Sequence, residues 1–265
     1  MRTVLLAGAT GLIGIELLGR LLRDEGFDGR VVAPTRRAIG VSHPKLVNPV
    51  VDAMTLGDLG LLNILANHGV DHVDAYACCL GTTLAKAGSR AVFQSIDHGL
   101  VLRWARVART RGARQTLLVS SVGADERSRS FYLRVKGEVE RDLAQLGFPR
   151  VDVMRPGQLL GERGESRPVE RLAQTAARVY SPWLKGGLSR YRGIEAGTVA
   201  EAMAQLIREN GAAGDRVHHH DEMQQLAASR ESARHPRGEW PWPTVTPKSP
   251  APAGASASGS RCRAP

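Results

Sequence analysis

Cysteine, aromatic residues and long apolar runs are all scarce in this chain of 265 residues. Three Cys residues are too few for a disulfide framework, and Cys78 and Cys79 lie inside an apolar run, which predicts reduced core residues. No stretch reaches the roughly 20 apolar residues that a membrane-spanning helix needs. The N-terminus lacks the charged segment, apolar segment and cleavage site of a secretory signal. These absences favour a globular protein of the cytoplasm, with no membrane partner.

Acidic residues are also in short supply, with 26 Asp or Glu against 36 Lys or Arg and a net charge of +10. The basic residues are scattered and do not alternate with aromatic residues, which argues against a nucleic-acid partner. We interpret the charge as a solvated basic surface. Residues 226–265 carry six Lys or Arg and two Glu and are rich in Pro, Ala, Ser and Gly. Such a composition cannot bury enough apolar surface to order itself, so this tail is predicted to be disordered.

A strand-like run, a glycine turn and the start of a helical pattern follow one another between Val4 and Gly14. Gly8 would allow the sharp turn, Gly11 would let the backbone approach a pyrophosphate, and Gly14 would let the helix pack against the strand. Phosphates would bind the free N–H groups at the helix N-terminus. A glycine-rich turn without a ligand is the alternative. The predicted cofactor-binding residues here are Gly8, Thr10, Gly11, Leu12, Ile13 and Gly14.

The second strand-like run, residues 30–35, is followed by Arg36 and Arg37. A dinucleotide fold contacts the adenosine ribose at this point, where a carboxylate suits NAD and an arginine suits the 2′-phosphate of NADP. The two arginines therefore favour NADP over NAD. Asp52 ends a third strand over residues 46–51. It would either accept a hydrogen bond from the adenine amino group or cap the following turn.

Strand and helix patterns alternate from residue 3 to about residue 155, which predicts an α/β fold with a Rossmann-like, doubly wound parallel sheet. The apolar run over residues 73–80 is typical of a buried parallel strand. Leu80 ends this run and Gly81 and Thr82 follow it, at the carboxyl end where cofactors bind in open α/β sheets, and all three are predicted to contact the cofactor. A single long helix is predicted over residues 92–111. It contains Asp97 and His98, and we interpret a lone histidine there as structural.

The pattern is looser after residue 155. A polar loop is predicted over residues 163–168, a helix over 169–180, another over 198–208 and a last strand at 216–218. Residues 157–215 would form a small substrate-side region within a single NAD(P)-binding domain that covers 1–225. Three consecutive histidines, residues 218–220, do not predict a metal site, because neighbouring side chains on a strand point to opposite faces. They predict a solvated strand end instead.

Tyr132 and Lys136 lie four residues apart in a predicted helix over residues 131–146, so their side chains share a face. A phenol is a poor acid or base near neutral pH, and an ammonium about 4 Å away would stabilise its anion by up to about 4 kcal/mol. Tyr132 would then donate a proton to a carbonyl oxygen. Ser121, at the end of the preceding strand, would hydrogen-bond the same oxygen, with Ser120 as the alternative. The alternative is that Tyr132 and Lys136 form only a surface pair on an amphipathic helix, with no part in catalysis.

The glycine turn and the Tyr132–Lys136 pair resemble the atypical branch of the short-chain dehydrogenase/reductase superfamily. Four further stretches resemble the TIP30 family, that of the HIV Tat-interacting protein 2: residues 78–83 (CCLGTT), 132–140 (YLRVKGEVE), 155–157 (RPG) and 165–168 (ESRP). The resemblance implies a Rossmann fold, NADPH binding, and the roles of Ser121, Tyr132 and Lys136 given above, with Lys136 also holding the nicotinamide ribose. It also implies that Pro156 and Gly157 lie near the nicotinamide.

These features predict an NADPH-dependent oxidoreductase that reduces a small carbonyl substrate, with Tyr132 as the general acid. The alternative is an NADPH-binding regulatory protein that acts through a protein partner with little or no turnover. Relatives of TIP30 that act as regulators motivate that alternative, as does the basic surface.

Overall fold

The computed structural model describes residues 1–160, 186–209 and 211–229. Its strands are β1 (Arg2–Ala7), β2 (Gly29–Val32), β3 (Leu46–Val47), β4 (Ala75–Cys78), β5 (Gln115–Val119), β6 (Arg150–Met154), β7 (Leu159–Leu160), β8 (Ile194–Glu195) and β9 (Gly214–His218). Its α-helices are α1 (Leu12–Arg23), α2 (Asp58–Asn67), α3 (Leu84–Ala87), α4 (Arg90–Gln94), α5 (Val101–Thr110), α6 (Phe131–Ala144), α7 (Ala196–Arg208) and α8 (His220–Ala228). A π-helix covers Ser95–Leu100 and a 3₁₀ helix covers Gly186–Tyr191.

In the described part of the chain, seven parallel strands form one sheet in the order β3-β2-β1-β4-β5-β6-β9. Helices α1, α7 and α8 cover one face, and α2, α5 and α6 cover the other. The prediction of a Rossmann-like, doubly wound parallel sheet is confirmed. The strand order reverses between β1 and β4, which is the switch point where sheets of this kind bind ligands.

Strand β1 is buried on both faces, as the central strand of such a sheet must be. Val4 and Leu6 face the core beneath α1, whereas Leu5 and Ala7 face the core beneath α5. The same alternation applies to β4, where Cys78 is fully buried. Burial raises the pKa of the Cys78 and Cys79 thiols. The prediction of a core residue is confirmed for Cys78, whereas Cys79 is partly buried and packs against the core from its margin.

The long helix predicted over residues 92–111 is interrupted. Its first turn, α4, begins after Ser89, whose side chain accepts a hydrogen bond from the Val92 N–H at 3.2 Å. The π-helix Ser95–Leu100 then separates α4 from α5. A π-helical turn adds a residue per turn and changes the direction in which side chains point, and such turns are frequent at functional sites. It carries Asp97 into the interior.

A buried polar network surrounds Asp152, in the middle of β6. Its carboxylate accepts hydrogen bonds from the Gln115 side chain at 3.0 Å and the Arg150 guanidinium at 2.7 Å, and His218 Nε2 lies 3.0 Å from it. Burial alone would raise the pKa of Asp152, but these three partners hold it below its ordinary value. The prediction of a solvated strand end is therefore wrong for His218 and His220, which are both buried, and His218 ties β9 to β6.

The predicted polar loop over 163–168, the helix over 169–180 and most of the predicted tail lie outside the described residues. Helix α8 was not predicted and extends to Ala228. Residues 226–228, assigned above to a disordered tail, are therefore helical. The described helices include none that combines the length and the apolarity needed to cross a bilayer.

Candidate active site

The glycine turn connects β1 to α1 at the switch point of the sheet. Gly8 has a φ of +83°, and a Cβ atom there would lie 2.6 Å from the backbone of Cys79 and Leu80. A Cβ atom on Gly14 would lie 2.1 Å from the carbonyl oxygen of Gly8. Both positions therefore require glycine, Gly8 for its backbone conformation and Gly14 because α1 begins in contact with the turn.

Gly11 has a different environment. It has an extended backbone with φ −79° and is the residue before the first turn of α1. A Cβ atom there would meet nothing closer than the Gly8 carbonyl oxygen, at 3.3 Å. No side chain caps this helix, and its first turn contains no acidic residue, so N–H groups and the positive end of the helix dipole face Thr10 and Gly11. This arrangement suits the pyrophosphate of a dinucleotide.

Alanine substitutions should separate the two roles of these glycines. Gly14→Ala should destabilise the fold by about 1–3 kcal/mol or more, because its methyl group overlaps backbone that cannot move independently. Gly11→Ala should fold, but its methyl group would occupy the approach to the phosphates of a dinucleotide and weaken binding of such a cofactor roughly 10- to 200-fold. Thermal unfolding and calorimetric titration with NADPH check both effects. Wild-type affinity in folded Gly11→Ala would show that the turn does not bind phosphate.

Arg36 and Arg37 lie beyond the carboxyl end of β2, and both are exposed. Two hydrogen bonds fix the loop that carries them. The Thr35 hydroxyl donates to the Arg37 carbonyl oxygen at 2.6 Å, and the Asn48 amide donates to the Thr35 hydroxyl at 2.8 Å. In the described ranges neither guanidinium has an ion-pair partner. Both are therefore available to an anionic group at this end of the sheet.

Asp52 is exposed, and its side chain makes the turn-capping contact. Its Oδ1 accepts a hydrogen bond from the Met54 N–H at 3.1 Å, and its carbonyl oxygen accepts one from the Thr55 hydroxyl at 2.9 Å. This is the second of the two roles that the sequence left open. The contact to adenine remains a prediction.

Lys136 is buried in α6, and its ammonium forms an ion pair with Asp97 at 2.8 Å between Nζ and Oδ1. The other oxygen of Asp97 accepts a hydrogen bond from the Thr82 N–H at 2.8 Å. A Cβ atom on Gly81 would lie 3.6 Å from Asp97 Oδ1 and 3.7 Å from Lys136 Nζ. The predicted Leu80–Thr82 segment, the π-helix and α6 thus converge on one buried ion pair.

Burial pulls the pKa of Lys136 down, but the Asp97 carboxylate, with a smaller contribution from the Tyr132 phenol, outweighs burial and leaves that pKa above its ordinary value. Lys136 is therefore a fixed cation one helical turn from Tyr132, the predicted proton donor. Asp97 also offsets part of the charge, so the 4 kcal/mol expected from an unpaired ammonium is an upper limit.

Asp97 was not selected as a functional residue from the sequence. The pattern of residues 92–111 matched an ordinary amphipathic helix, and no motif surrounds Asp97. Its burial depends on the π-helix, which a helical periodicity of 3.6 residues does not predict. The signal that was present is chemical, because an aspartate inside an apolar helix face needs a buried partner.

Tyr132 lies one turn before Lys136 on α6, and its ring packs against Phe93 of α4 with 5.8 Å between ring centroids. Phe93 is fully buried and also contacts Phe131. These aromatic contacts hold the Tyr132 ring while the residue stays partly exposed. The two residues predicted to act together therefore share a region of α6 in which one is buried and the other reaches the surface.

The two candidate serines after β5 have different surroundings. Ser120 is buried, and its hydroxyl donates a hydrogen bond to the Glu140 carboxylate of α6. The Ser121 hydroxyl is partly exposed and makes only a 3.4 Å contact to the Val122 carbonyl oxygen. Because the Ser120 hydroxyl is already engaged, Ser121 is the better candidate to hydrogen-bond a substrate.

Pro156 and Gly157 lie beside the loop that follows β5. The Val122 N–H donates to the Pro156 carbonyl oxygen at 2.9 Å. A Cβ atom on Gly157 would lie 2.4 Å from the Arg192 carbonyl oxygen, so only glycine allows the backbone of residues 191–192 to pack there. Strands β7 and β8 pair immediately after this contact. Pro156–Gly157 thus joins the sheet edge to the described residues 186–195.

A comparison with protein families decides the assignment. Residues 4–136, from β1 to Lys136, match the NAD dependent epimerase/dehydratase family. The chain belongs to this family. Its members are NAD(P)-binding, short-chain dehydrogenase/reductase-like proteins, and the glycine turn fits such a cofactor because Gly11 leaves the first turn of α1 open.

Curated relatives include two fungal proteins. Protein FMP52, mitochondrial, of Candida albicans is 34% identical over 202 residues, which are 75% of this chain and 86% of that protein. Protein fmp52, mitochondrial, of Aspergillus clavatus is 32% identical over 222 residues, 81% of this chain and 92% of that protein. These relatives are named FMP52 and not TIP30, so they support the wider family and leave the TIP30 resemblance as a proposal.

The names of these relatives also correct the predicted location. Both proteins are described as mitochondrial, which contradicts the prediction of a cytoplasmic protein. The prediction rested on absent features, namely a disulfide framework, a secretory signal and a membrane span. None of these absences distinguishes one compartment inside the cell from another.

Solved structures of low sequence identity share the fold. UDP-glucose 4-epimerase of Thermus thermophilus, in complex with NAD, has a TM-score of 0.58 at 16% identity and covers 87% of this chain and 83% of its own. A putative NAD-dependent epimerase/dehydratase of Bacillus halodurans has a TM-score of 0.58 at 18% identity, and the match covers 86% of this chain and 100% of that protein.

In the described part of this chain, no three His, Cys, Asp or Glu side chains are grouped as a metal site requires.

Proposed function

We propose that the protein is an NADPH-dependent reductase of a small carbonyl compound. The observation that carries the proposal is the buried Lys136–Asp97 ion pair, which lies one helical turn from Tyr132 at the carboxyl edge of a dinucleotide-binding sheet. A buried ion pair contributes little to stability compared with apolar packing, so its position one helical turn from a phenol suggests a chemical role.

Each candidate residue has a proposed part in this reaction. NADPH, when bound, supplies the hydride. Tyr132 donates its proton to the carbonyl oxygen, which becomes the alcohol, and is reprotonated from solvent. Lys136 stabilises the phenolate that forms, and the Ser121 hydroxyl donates a hydrogen bond to the carbonyl oxygen. Lys136 also binds the nicotinamide ribose, and Pro156 and Gly157 contact the nicotinamide.

The remaining positions are proposed to bind the other parts of the cofactor. The turn residues Gly8, Thr10, Gly11, Leu12, Ile13 and Gly14 bind the pyrophosphate. Leu80, Gly81 and Thr82 approach the cofactor through their backbone. Arg36 and Arg37 bind the 2′-phosphate, and Asp52 accepts from the adenine amino group. Substrate contacts come in part from the described residues 157–160 and 186–195. The domain proposed over 1–225 includes all of these positions.

Arg36 and Arg37 should set the preference for NADPH. Replacing both with alanine removes charge-assisted hydrogen bonds worth about 1.5–3 kcal/mol, so NADPH affinity should fall roughly 10- to 100-fold while NADH affinity changes little. Calorimetric titration with each cofactor measures both. Arg30→Ala, which removes a β2 side chain bonded to Thr3, is the control. Equal loss of NADH and NADPH affinity would contradict the assignment of the 2′-phosphate site.

A substrate panel tests the reaction itself. Consumption of NADPH with aldehydes or ketones, followed at 340 nm, would support the proposal. UDP-glucose has no aldehyde or ketone group for NADPH to reduce, so it is tested separately, with NAD and analysis of the sugar product, because one structural neighbour is a UDP-glucose 4-epimerase in complex with NAD. Tight NADPH binding without turnover of any carbonyl would favour the regulatory alternative.

The names of the fungal relatives support a mitochondrial location. The four sequence stretches described above support a TIP30-like protein.

A further inference from the structure

The carboxylate of Glu140 joins three elements near the candidate site. It accepts a hydrogen bond from the Ser120 hydroxyl, which follows β5. It also pairs with Arg155, which follows β6, with Arg155 Nε 3.1 Å from Oε1 and 3.2 Å from Oε2. The Glu140 side chain is 11% exposed and that of Arg155 is 25% exposed. This cluster of Ser120, Glu140 and Arg155 is largely shielded from solvent.

The alternation of side chains along the strands explains why these residues meet. Leu118 and Val153 face the core beneath α6, and Ser120 and Arg155 each follow two residues later, so they point to the same side. Glu140 lies four residues after Lys136 and eight after Tyr132 on α6. Helical spacing therefore places the proton donor, the cation and Glu140 along one side of a single helix.

Both strand ends that Glu140 binds continue directly into predicted site residues. Ser120 precedes Ser121, and Arg155 precedes Pro156 and Gly157. The two strand ends are also joined to each other, because the Val122 N–H donates to the Pro156 carbonyl oxygen at 2.9 Å. The Arg155 N–H in turn donates to the His218 carbonyl oxygen at 2.9 Å. Glu140 is the α6 side chain that contacts both strand ends directly, one through Ser120 and the other through Arg155.

We propose that Glu140 is a positioning residue that sets the distance of Ser121 and of Pro156–Gly157 from Tyr132. The inference rests on the proposed function of Tyr132 and Ser121. Glu140 touches neither substrate nor cofactor, and it acts through Ser120 and Arg155. An error of about 1 Å in such placement lowers turnover by about a hundredfold, whereas binding contacts elsewhere on the cofactor are unaffected.

Glu140→Gln tests the proposal because it keeps the shape of the side chain and removes its charge. We expect kcat to fall by about a hundredfold, with the Kd for NADPH within about threefold of wild type. Amide hydrogen exchange should quicken in residues 120–122 and 155–157 and stay unchanged in the glycine turn, residues 8–14. Glu140→Asp, which keeps the charge one methylene further away, should recover part of both effects.

Glu201→Gln is the matched control. Glu201 is a part-buried glutamate that pairs with Arg20 at 3.0 Å and Arg208 at 3.3 Å and joins α7 to α1 on the other face of the sheet. It should lose comparable stability and keep kcat. The proposal is overturned if Glu140→Gln lowers kcat no more than Glu201→Gln, or if the loss lies in NADPH affinity.

The exchange measurement keeps this inference distinct from the proposed reductase function. If the wild-type protein turns over no carbonyl, the proposed function fails, and exchange in NADPH-bound protein then decides the role of Glu140. Faster exchange confined to 120–122 and 155–157 would retain the positioning role. Unchanged exchange in those two segments would overturn it, whatever the activity.

Discussion

Tyr132→Phe should lower turnover of a carbonyl substrate by about 10²- to 10⁴-fold, the usual contribution of a positioned general acid. Phenylalanine has no proton to donate, and no other hydroxyl occupies the same position on α6. The ring contact with Phe93 does not involve the hydroxyl, so the substituted ring should keep its place. NADPH affinity and the thermal midpoint should remain close to those of the wild-type protein.

Tyr76→Phe is the matched control for this experiment. The Tyr76 hydroxyl donates to the Val101 carbonyl oxygen at 3.0 Å, inside the core between β4 and α5. Losing this bond should cost about 1 kcal/mol of stability and leave turnover unchanged. Steady-state kinetics at saturating NADPH, with calorimetry for the cofactor, measure both variants. Undiminished turnover in Tyr132→Phe would remove Tyr132 from the mechanism.

Asp97→Asn should lower the free energy of unfolding more than any other substitution proposed above. Removing one partner of a buried ion pair leaves the other charge uncompensated, at a cost of about 3–5 kcal/mol. Asparagine retains an oxygen that can accept from the Thr82 N–H, so the change isolates the loss of charge beside Lys136. Urea unfolding at neutral pH measures this loss. A change below about 1 kcal/mol would mean that the ion pair is dispensable to the fold.

The dependence of this effect on pH follows from the direction of the Lys136 shift. In the wild-type protein Asp97 raises the pKa of Lys136 above its ordinary value of 10.5. The stabilisation is therefore fully present below the unfolded-state value and is lost as the pH rises through the folded-state value. In Asp97→Asn, burial lowers the pKa of Lys136, so the stability of the variant should increase with pH.

The difference in stability between wild type and Asp97→Asn should thus narrow as the solution becomes alkaline. Urea unfolding at several pH values from 7 to above 10 provides the test, and taking the difference between the two proteins cancels the titration of shared groups. Glu138→Gln, which alters a part-exposed glutamate 3.9 Å from Arg134 on the same helix, is the control. A difference independent of pH would show that Lys136 is not the group involved.

Features that depend on residues close together in the sequence could be predicted from it. The glycine turn, the parallel strands and the four-residue spacing of Tyr132 and Lys136 follow from local periodicity and backbone chemistry. Features that join distant segments could not be predicted in this way. Asp97 reaches Lys136 across 39 residues of sequence only because a π-helix turns it inward. The sequence could only rank Ser121 ahead of Ser120, whereas the structure distinguishes them, because Ser120 is buried and bonded to Glu140 and Ser121 is partly exposed.

The sequence by itself determined the fold class, the glycine turn and the helix that carries the candidate proton donor, because each is encoded by residues within a few positions of one another. Tertiary structure alone decided the partners of the charged groups: Asp97 for Lys136, Glu140 for Ser120 and Arg155, and Asp152 for His218. A buried charge must be paired, but its pattern in the sequence does not say with what. That choice depends on which strand ends and helix faces the fold brings together.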